Sequence, residues 1–443
     1  MIAEMADASL AQLDRAWLHP FTSIAEQEAS PGLVIVEGRG SRVRDAAGRW
    51  YLDAMAGLWC VNAGYGRAEI ADAIAEQARR LPYYHGFAGS GTDPAIRLAA
   101  ALAALAPMPN AHVFFASSGS EANDSQIKLI WHYNNLLGRP AKKKLLARKR
   151  GYHGTTLAAS SLTGLPYVHA RFDLPLSDRF VHVSPAHWPA GAERGETEDA
   201  YAERLARELD ETIGREGAET VAAFFAEPVM GAGGVLVPPA RYFEKIQPVL
   251  RRHDVLLVAD EVICGFGRLG RWFGSQRYGI APDLVTVAKG LTSGYVPMSA
   301  CLISEKIFGV LRAASPQVGA FTHGYTYSGH PVAAAAALAN LAIFEREGLV
   351  EKADRIGSRL QQRLRERCAG HPRLADVRGV GLIAALEPRD PDDAKRLGAL
   401  LLADGVIARV VAGCIALSPP LVIGEEEVDE LVAALARALD KLA

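Results

Sequence analysis

The sequence predicts an α/β protein: a large domain built on a mainly parallel, seven-stranded sheet covered by helices, joined to a small α+β domain. Three features predict it. From His112 onward, short apolar runs alternate with longer segments of helical periodicity, the order of strands and covering helices in a parallel sheet. After Ser328-Gly329-His330-Pro331 the order changes to two long helical stretches, then short strands around one helix, as in a separate α+β unit. The chain has 443 residues, 49% of them apolar, which exceeds one average domain and is ample for a core. Residues 1–65 are expected to form an N-terminal segment belonging with the small domain, 66–327 the large domain and 328–443 the C-terminal small domain.

Taken in order, an N-terminal helix precedes a meander over residues 33–53, where β-rich runs are separated by turn signals at Glu37-Gly38 and Ala46-Ala47-Gly48. Apolar positions recur at helical spacing over 67–80 and 94–105. Six strands are expected at 113–116, 145–148, 180–183, 221–227, 256–260 and 284–287, and a seventh, antiparallel one at 299–303. An alanine-rich helix reaches about residue 347 and a second ends near 367. Strands near 374–378, 382–386, 407–410 and 415–417 surround a helix near 394–402, and a last helix starts at 425.

The formal charge is -2 with both signs interspersed, so no basic field exists to hold nucleic acid or an anionic membrane. The one concentrated run, Lys142 to Arg150, reads as a solvated turn leading into a strand. Five scattered cysteines, without paired spacing, fit reduced thiols rather than a disulfide frame or zinc site, and no metal is expected. The N-terminus is acidic and alanine-rich without an apolar core, unlike a signal peptide, and the longest apolar run, near 332–344, is too short to span a bilayer. A cytoplasmic location is expected.

The chemistry gathers where strands end. The β-branched run 284–287 gives way to Ala288-Lys289-Gly290, which places a single amine on a loop at a strand's carboxyl end. A lysine held there loses its proton readily, and a neutral amine forms a Schiff base with an aldehyde, which points to pyridoxal phosphate; an ordinary solvated lysine is the alternative. Ser117-Ser118-Gly119-Ser120-Glu121-Ala122-Asn123 follows a strand and opens a helix, with Ser118 and Glu121 at capping-box spacing. Amides, hydroxyls and the positive end of a helix converge there, suited to a phosphate or serving only as a cap. The strand 256–260 ends in Asp260-Glu261. Alternation along a strand lets only one of them reach the site, and we choose Asp260, which would pair with a protonated pyridine nitrogen; an ion pair with Arg268 is the bland alternative. Tyr152-His153-Gly154 offers a ring that can stack on a planar cofactor or simply fill the core, and Pro228 stops a ladder so as to expose Glu227 at the same edge. Four strand ends thus supply a phosphate cradle, an aromatic face, an acid and an amine at the edge where open α/β sheets bind ligands.

The segments SGSEAND, YHG, AEPV, DEVICGFGRLG, AKGLTSGYVPMSA and HGYTYSGHP, in this order across nearly the whole chain, resemble the class III aminotransferases of the pyridoxal-phosphate fold type I superfamily. The resemblance implies that residues 66–327 bind pyridoxal 5'-phosphate and that Lys289 is the lysine joined to it. It implies Asp260 as the pyridine-nitrogen partner, Val262 as the apolar contact beneath the ring, and Tyr152 over its other face. Ser118, Gly119 and Ser120 would hold the phosphate, with His153 and Glu227 among the cofactor-binding set. It also implies a homodimer with sites at the interface, Thr326 reaching the partner subunit's phosphate.

Within that class, Leu18-His19-Pro20-Phe21, Gly57-Leu58-Trp59 and Ile407-Ala408-Arg409-Val410 resemble the ω-amino acid and amine:pyruvate branch. There Phe21 and Trp59 would line the substrate pocket with Phe87 from the facing subunit, and Ala232 and Gly233 would border it. Arg409 would bind the carboxylate of pyruvate or alanine and swing away for an uncharged amine, its fork matching a carboxylate with two hydrogen bonds; a solvated arginine on an edge strand is the alternative. The implied reaction is ping-pong transfer from a primary amine or ω-amino acid to a 2-oxo acid, with an aminomutase, racemase or decarboxylase of the same fold as the nearest alternative. Gly379-Val380-Gly381-Leu382-Ile383-Ala384 formally matches a dinucleotide fingerprint but lies late in the chain, before strand-like residues, so a nicotinamide dehydrogenase is remote. Ser125-Gln126-Ile127-Lys128 has the spacing of penicillin-recognising enzymes without their companion KTG element.

Overall fold

The computed structural model describes residues 9–30 and 32–442. Its central sheet has seven strands in the order His112–Ala116, Ser299–Ile303, Leu284–Val287, Leu256–Asp260, Val221–Ala226, Lys144–Arg148 and Phe180–Val183. The last five are parallel neighbours, and Ser299–Ile303 runs antiparallel to the strand on each side of it. All seven expected strands are present, the antiparallel one included.

Successive residues of these strands feed opposite cores, as the period of two requires. Leu145, Phe225, Val258 and Leu284 pack with Ile127 and Ile130 of the helix Gly119–Leu136. Their neighbours Leu146, Phe224 and Leu257 pack with Leu205 of Glu198–Glu216 and Ile246 of Tyr242–Arg252. Farther along the second face, Val285, Val287 and Leu302 join a core that runs without a break into Leu386, Leu417 and Leu431 of the C-terminal part. The helix Pro331–Glu347 packs on Ala68–Arg80 and Asp93–Leu105, so it ties residues beyond 328 to the large sheet.

Two four-stranded sheets complete the fold. In the first, the meander Ile35–Arg39, Arg42–Asp45 and Trp50–Asp53 is extended by Val406–Ile407, parallel to Trp50–Asp53, so the two ends of the chain share a sheet. The second joins Leu374–Val380, Ile383–Pro388, Cys414–Leu417 and Arg409–Val411.

Three local readings are corrected. The strand expected over 407–410 is two strands in different sheets, and the change of sheet falls at Ala408, which aims Arg409 away from the meander. In place of one N-terminal helix, the described residues form the α-helices Leu10–Leu13 and Ile24–Ala29, each capped by a serine. The basic run is not a solvated turn: Lys142 is buried with Nζ bonded to the Ala218 and His253 carbonyls, and Arg148 is buried over the rings of Tyr242 and Phe243. The dinucleotide-like match is the chance one expected: Gly379 lies within the strand Leu374–Val380 and Gly381 in the turn before Ile383–Pro388, where no helix follows to hold a pyrophosphate.

Candidate active site

Six segments line one cavity of about 210 Å³ at the carboxyl edge of the sheet, with Leu58, Gly119, Ser120, Tyr152, His153, Glu227, Asp260, Val262 and Lys289 among the lining residues. All but Ser118 of the cofactor-contacting residues expected within a single chain meet there. Each arrives for a local reason.

Asp260 ends its strand opposite Thr286, in register. Asn123, one turn into the helix Gly119–Leu136, bridges the two: its Nδ2 donates to Asp260 Oδ2 at 2.9 Å and its Oδ1 accepts from Thr286 Oγ1 at 2.8 Å. His153 Nδ1 lies 2.8 Å from the same Oδ2, and the Val262 amide donates to Oδ1 at 3.1 Å. An ionised carboxylate only accepts, so Nδ1 carries the imidazole proton. Glu261 faces the other way, fully buried, and its carboxylate accepts from the Gly274 and Ser275 amides and from Ser275 Oγ at the start of Gly274–Tyr278. The two acids face opposite ways, as alternation requires, and it is Asp260 that lines the cavity. Arg268 pairs with neither, donating instead to the Leu382 and Pro419 carbonyls and to Asn62 Oδ1.

Lys289 follows Leu284–Val287 with φ 42°, in the left-handed region that costs an ordinary residue about 1–3 kcal/mol and persists where surrounding structure imposes it. The imposing groups are polar and buried. Asn340, on the alanine-rich helix, donates from Nδ2 to the Gly290 and Leu291 carbonyls, while its Oδ1 accepts from Ser293 Oγ at 2.7 Å. A Cβ on Gly290 would stand 2.6 Å from Asn62 Nδ2, so this loop tolerates only glycine there. Burial pulls the Lys289 amine below its usual pKa, offset by the nearby Asp260 charge.

The helix Gly119–Leu136 opens with Ser118 Oγ accepting from the Glu121 amide at 3.2 Å. The return bond differs from a capping box: the Glu121 carboxylate accepts from the Ser117 amide, one residue earlier. A Cβ on Gly119 would lie 3.1 Å from a methyl of Val262, so glycine leaves the first amides of the helix open beside that valine. Ser120 Oγ is drawn to the Thr155 amide at 3.0 Å. Glu227 spans two loops, accepting from the Tyr152 amide on Oε1 and the Gly231 amide on Oε2, each at 3.0 Å, and burial raises its pKa. Glu227 therefore frames the cavity wall that carries Tyr152.

Arg409 lies close enough to Tyr152, Tyr167 and Lys289 for its charge to act on all three, and burial lowers its own pKa. Its Nε is buried without a hydrogen-bond partner among the described residues. Of the segment Gly57-Leu58-Trp59, Leu58 lines the cavity; Trp59 is 3% exposed and belongs to the same apolar cluster as Ile263, behind the lining. Phe21, Phe87 and Thr326 are exposed and lie outside this cavity. Ala232 is half-buried, and the Gly233 Cα faces Arg150, whose carbonyl a Cβ would meet at 2.3 Å. Sequence reasoning missed Asn123, Thr286, Asn340, Leu58 and Tyr167. For Asn340 a signal existed, a lone amide in an alanine-rich helix; Asn123 stood inside a quoted segment four residues beyond Gly119.

These residues fit pyridoxal phosphate: open amides for a phosphate, a ring and a valine for two faces, an anchored carboxylate and a desolvated amine. The comparisons agree. The sequence profile described as aminotransferase class-III matches residues 23–439. An uncharacterized aminotransferase of Sinorhizobium fredii is 48% identical over 95% of this chain and 94% of its own length. A diaminobutyrate–2-oxoglutarate transaminase of Halomonas elongata is 45% identical over 93% and 91%. The crystal structure of the omega transaminase of Pseudomonas jessenii in complex with PMP superposes with a TM-score of 0.96 at 45% identity, covering 98% of each chain. A cavity of this composition, at the sheet edge of a chain matched along nearly its full length, leaves one assignment: the protein belongs to the class III aminotransferases, enzymes of fold type I that use pyridoxal phosphate.

Proposed function

We propose that the enzyme moves an amino group from a primary amine or ω-amino acid to a 2-oxo acid, with pyruvate the favoured acceptor, in two half-reactions that use one cavity in turn. The observation that carries this reading is Arg409, a half-buried guanidinium whose charge acts on Tyr152, Tyr167 and Lys289 and whose Nε has no hydrogen-bond partner among the described residues. It offers one fork for one carboxylate, which suits pyruvate and alanine; the name of the Halomonas relative gives the two-carboxylate acid 2-oxoglutarate. The rest of the lining suits an uncharged carbon skeleton.

Bound pyridoxal phosphate supplies a conjugated ring that takes up the electron pair left when a substrate carbon loses its proton. The chain supplies the rest. Lys289 Nζ, desolvated and beside Asp260, would take the proton from the amine-bearing carbon of the substrate and deliver it to the carbon of the cofactor that carried the aldehyde. Asp260, fixed by His153 and Asn123, keeps a negative charge where a protonated ring nitrogen would sit. Val262 and Tyr152 would position the two faces, and the amides beyond Gly119 with Ser120 would hold the phosphate, while Ser118 caps the helix that presents them.

A homodimer belongs to the same reading. Tyr83, Tyr84, Phe87 and Tyr327 are exposed on one chain, and Tyr83 Oη donates to the Thr326 carbonyl at 2.8 Å, which ties two of the segments expected to serve the partner's cavity. The test is an absorbance titration of the purified holoenzyme. The band of the lysine-bound cofactor should bleach with a productive amine and return with pyruvate. Return with 2-oxoglutarate alone would reassign the acceptor, and turnover without any acceptor would replace transamination by another reaction of the fold.

A further inference from the structure

Behind the wall that carries Tyr152 lies a second cavity, of about 310 Å³, lined by Arg150, Ser184, His187, Tyr201 and Arg204 among others. It opens beyond the carboxyl ends of the adjacent parallel strands Lys144–Arg148 and Phe180–Val183, the edge where open α/β sheets take ligands. Two of its groups lack partners suited to them. Among the described residues Arg150 makes no ion pair; its single side-chain hydrogen bond runs from Nη2 to the Gly233 carbonyl at 2.7 Å. His187 is 3% exposed, and its Nδ1 has no hydrogen-bond partner among the described residues. A half-buried guanidinium without a carboxylate, facing a roomy polar cavity with an unsatisfied imidazole, is the donor set of an anion site.

The neighbouring ion pairs leave the donors of Arg150 and His187 free for an anion. His187, Asp376 and Glu387 bring ligand-type atoms within 4.8 Å of one another, which by itself would suit a metal ion. Arg378 Nη1 already donates to Asp376 at 2.9 Å and to Glu387 at 2.5 Å, so a guanidinium occupies the cation's role. Arg204 is matched by Glu196, with two bonds at 2.8 Å. Of these three guanidiniums Arg150 is the one that touches no carboxylate, although the charge of Glu387 acts on it. Burial and the charges of Arg378 and Arg150 hold the His187 pKa down to about 4, so the imidazole is neutral and has one N–H to donate.

We infer that this cavity is a second ligand site, for a tetrahedral oxyanion, free or as the head of a small phosphate monoester, held by Arg150 and His187. It is linked to the catalytic cavity through one loop. Arg150 holds Gly233, Arg378 holds the Gly234 and Val235 carbonyls, and the Gly231 amide is bound to Glu227, which also fixes Tyr152. An oxyanion that draws Nη2 from the Gly233 carbonyl loosens this loop from the outside.

The test uses holoenzyme, whose cofactor fills the catalytic phosphate site. Inorganic phosphate and glycerol 3-phosphate are titrated at constant ionic strength by calorimetry, with Trp188, next to His187, as a fluorescence reporter. One saturable site per chain is expected, weakened by roughly tenfold or more in Arg150→Gln and retained in Arg150→Lys. Tighter binding of the monoester would identify it as the form that fills the cavity. No saturable binding of either ion, or binding unchanged in Arg150→Gln, overturns the inference. If Arg150→Gln lacks the wild-type circular dichroism, His187→Leu decides by the same criterion.

Discussion

His153 Nδ1 lies 2.8 Å from Asp260 Oδ2, and Asn123 Nδ2 donates to that same oxygen at 2.9 Å, so the carboxylate is held by two side chains from different segments. Neither Asp260 nor His153 exceeds 3% exposure. The arrangement fixes which way the charge faces before any ligand arrives, which is where electrostatic catalysis gains most. Asp260→Asn keeps the shape and removes the charge. It should slow the amine half-reaction by about 10²–10³-fold while cofactor content stays near that of wild type, checked by stopped-flow absorbance and mass spectrometry. His153→Phe leaves one buried acceptor underbonded and should lower stability by about 1–3 kcal/mol, seen as a lower melting temperature.

Lys289→Ala should abolish turnover and leave the cofactor bound without a covalent link. Borohydride reduction followed by intact-mass measurement separates the outcomes: wild type gains the cofactor's mass and the variant does not. Substantial transamination by the variant would remove Lys289 from the mechanism.

At Gly119 the geometry makes a graded prediction. Alanine there would press its Cβ to 3.1 Å from Val262 Cγ2, and overpacking of this kind costs about 1–3 kcal/mol. Cofactor affinity of the apoenzyme should fall by roughly tenfold or more in Gly119→Ala and recover in the double variant with Val262→Ala, a coupling that independent sites would lack.

Arg409→Leu should act on one half-reaction. Losing a bidentate, charge-assisted contact costs about 3 kcal/mol, so KM for pyruvate should rise by roughly 10²-fold while KM for an uncharged aryl-alkyl amine changes little. Equal changes for the two substrates would mean that Arg409 supports the cavity without touching the acid.

Most of the large sheet and the set of strand-end residues were legible because each depends on short-range rules. Strands Leu256–Asp260 and Leu284–Val287 announce themselves by short apolar runs, and alternation lets only one of Asp260 and Glu261 reach the sheet edge. Less legible were features fixed by distant partners. The positive φ of Lys289 follows from Asn340, fifty-one positions on, and the burial of Arg148 from the rings of Tyr242 and Phe243. The splitting of 407–410 between two sheets depends on where the N-terminal meander docks, which no local pattern records. Trp59, expected at the substrate pocket from its segment, packs in an apolar cluster with Ile263, and both Ile263 and the adjacent Leu58 line the cavity.

Glu261 gives a pH prediction with a definite sign. Burial raises its pKa from 4.5 to about 7, although Ser275 and Gly274 donate to the ionised form and oppose the rise. Below pH 4.5 the carboxyl is protonated in the folded and unfolded chain alike, so it has no net effect. Between 4.5 and 7 the unfolded chain ionises it while the folded chain keeps the proton, so folding takes up a proton and stability falls as pH rises. Above about 7 the folded form ionises too, and the accumulated cost, about 3 kcal/mol, stays constant. Glu261→Gln cannot ionise, and other titrating groups cancel in the difference between the two proteins. The stability of wild-type holoenzyme relative to Glu261→Gln, measured by urea unfolding at pH 5 and pH 7.5, should therefore drop with increasing pH. A difference that stayed flat or grew would mean that the three hydrogen bonds from Gly274 and Ser275 outweigh burial and keep this carboxylate ionised in the folded protein.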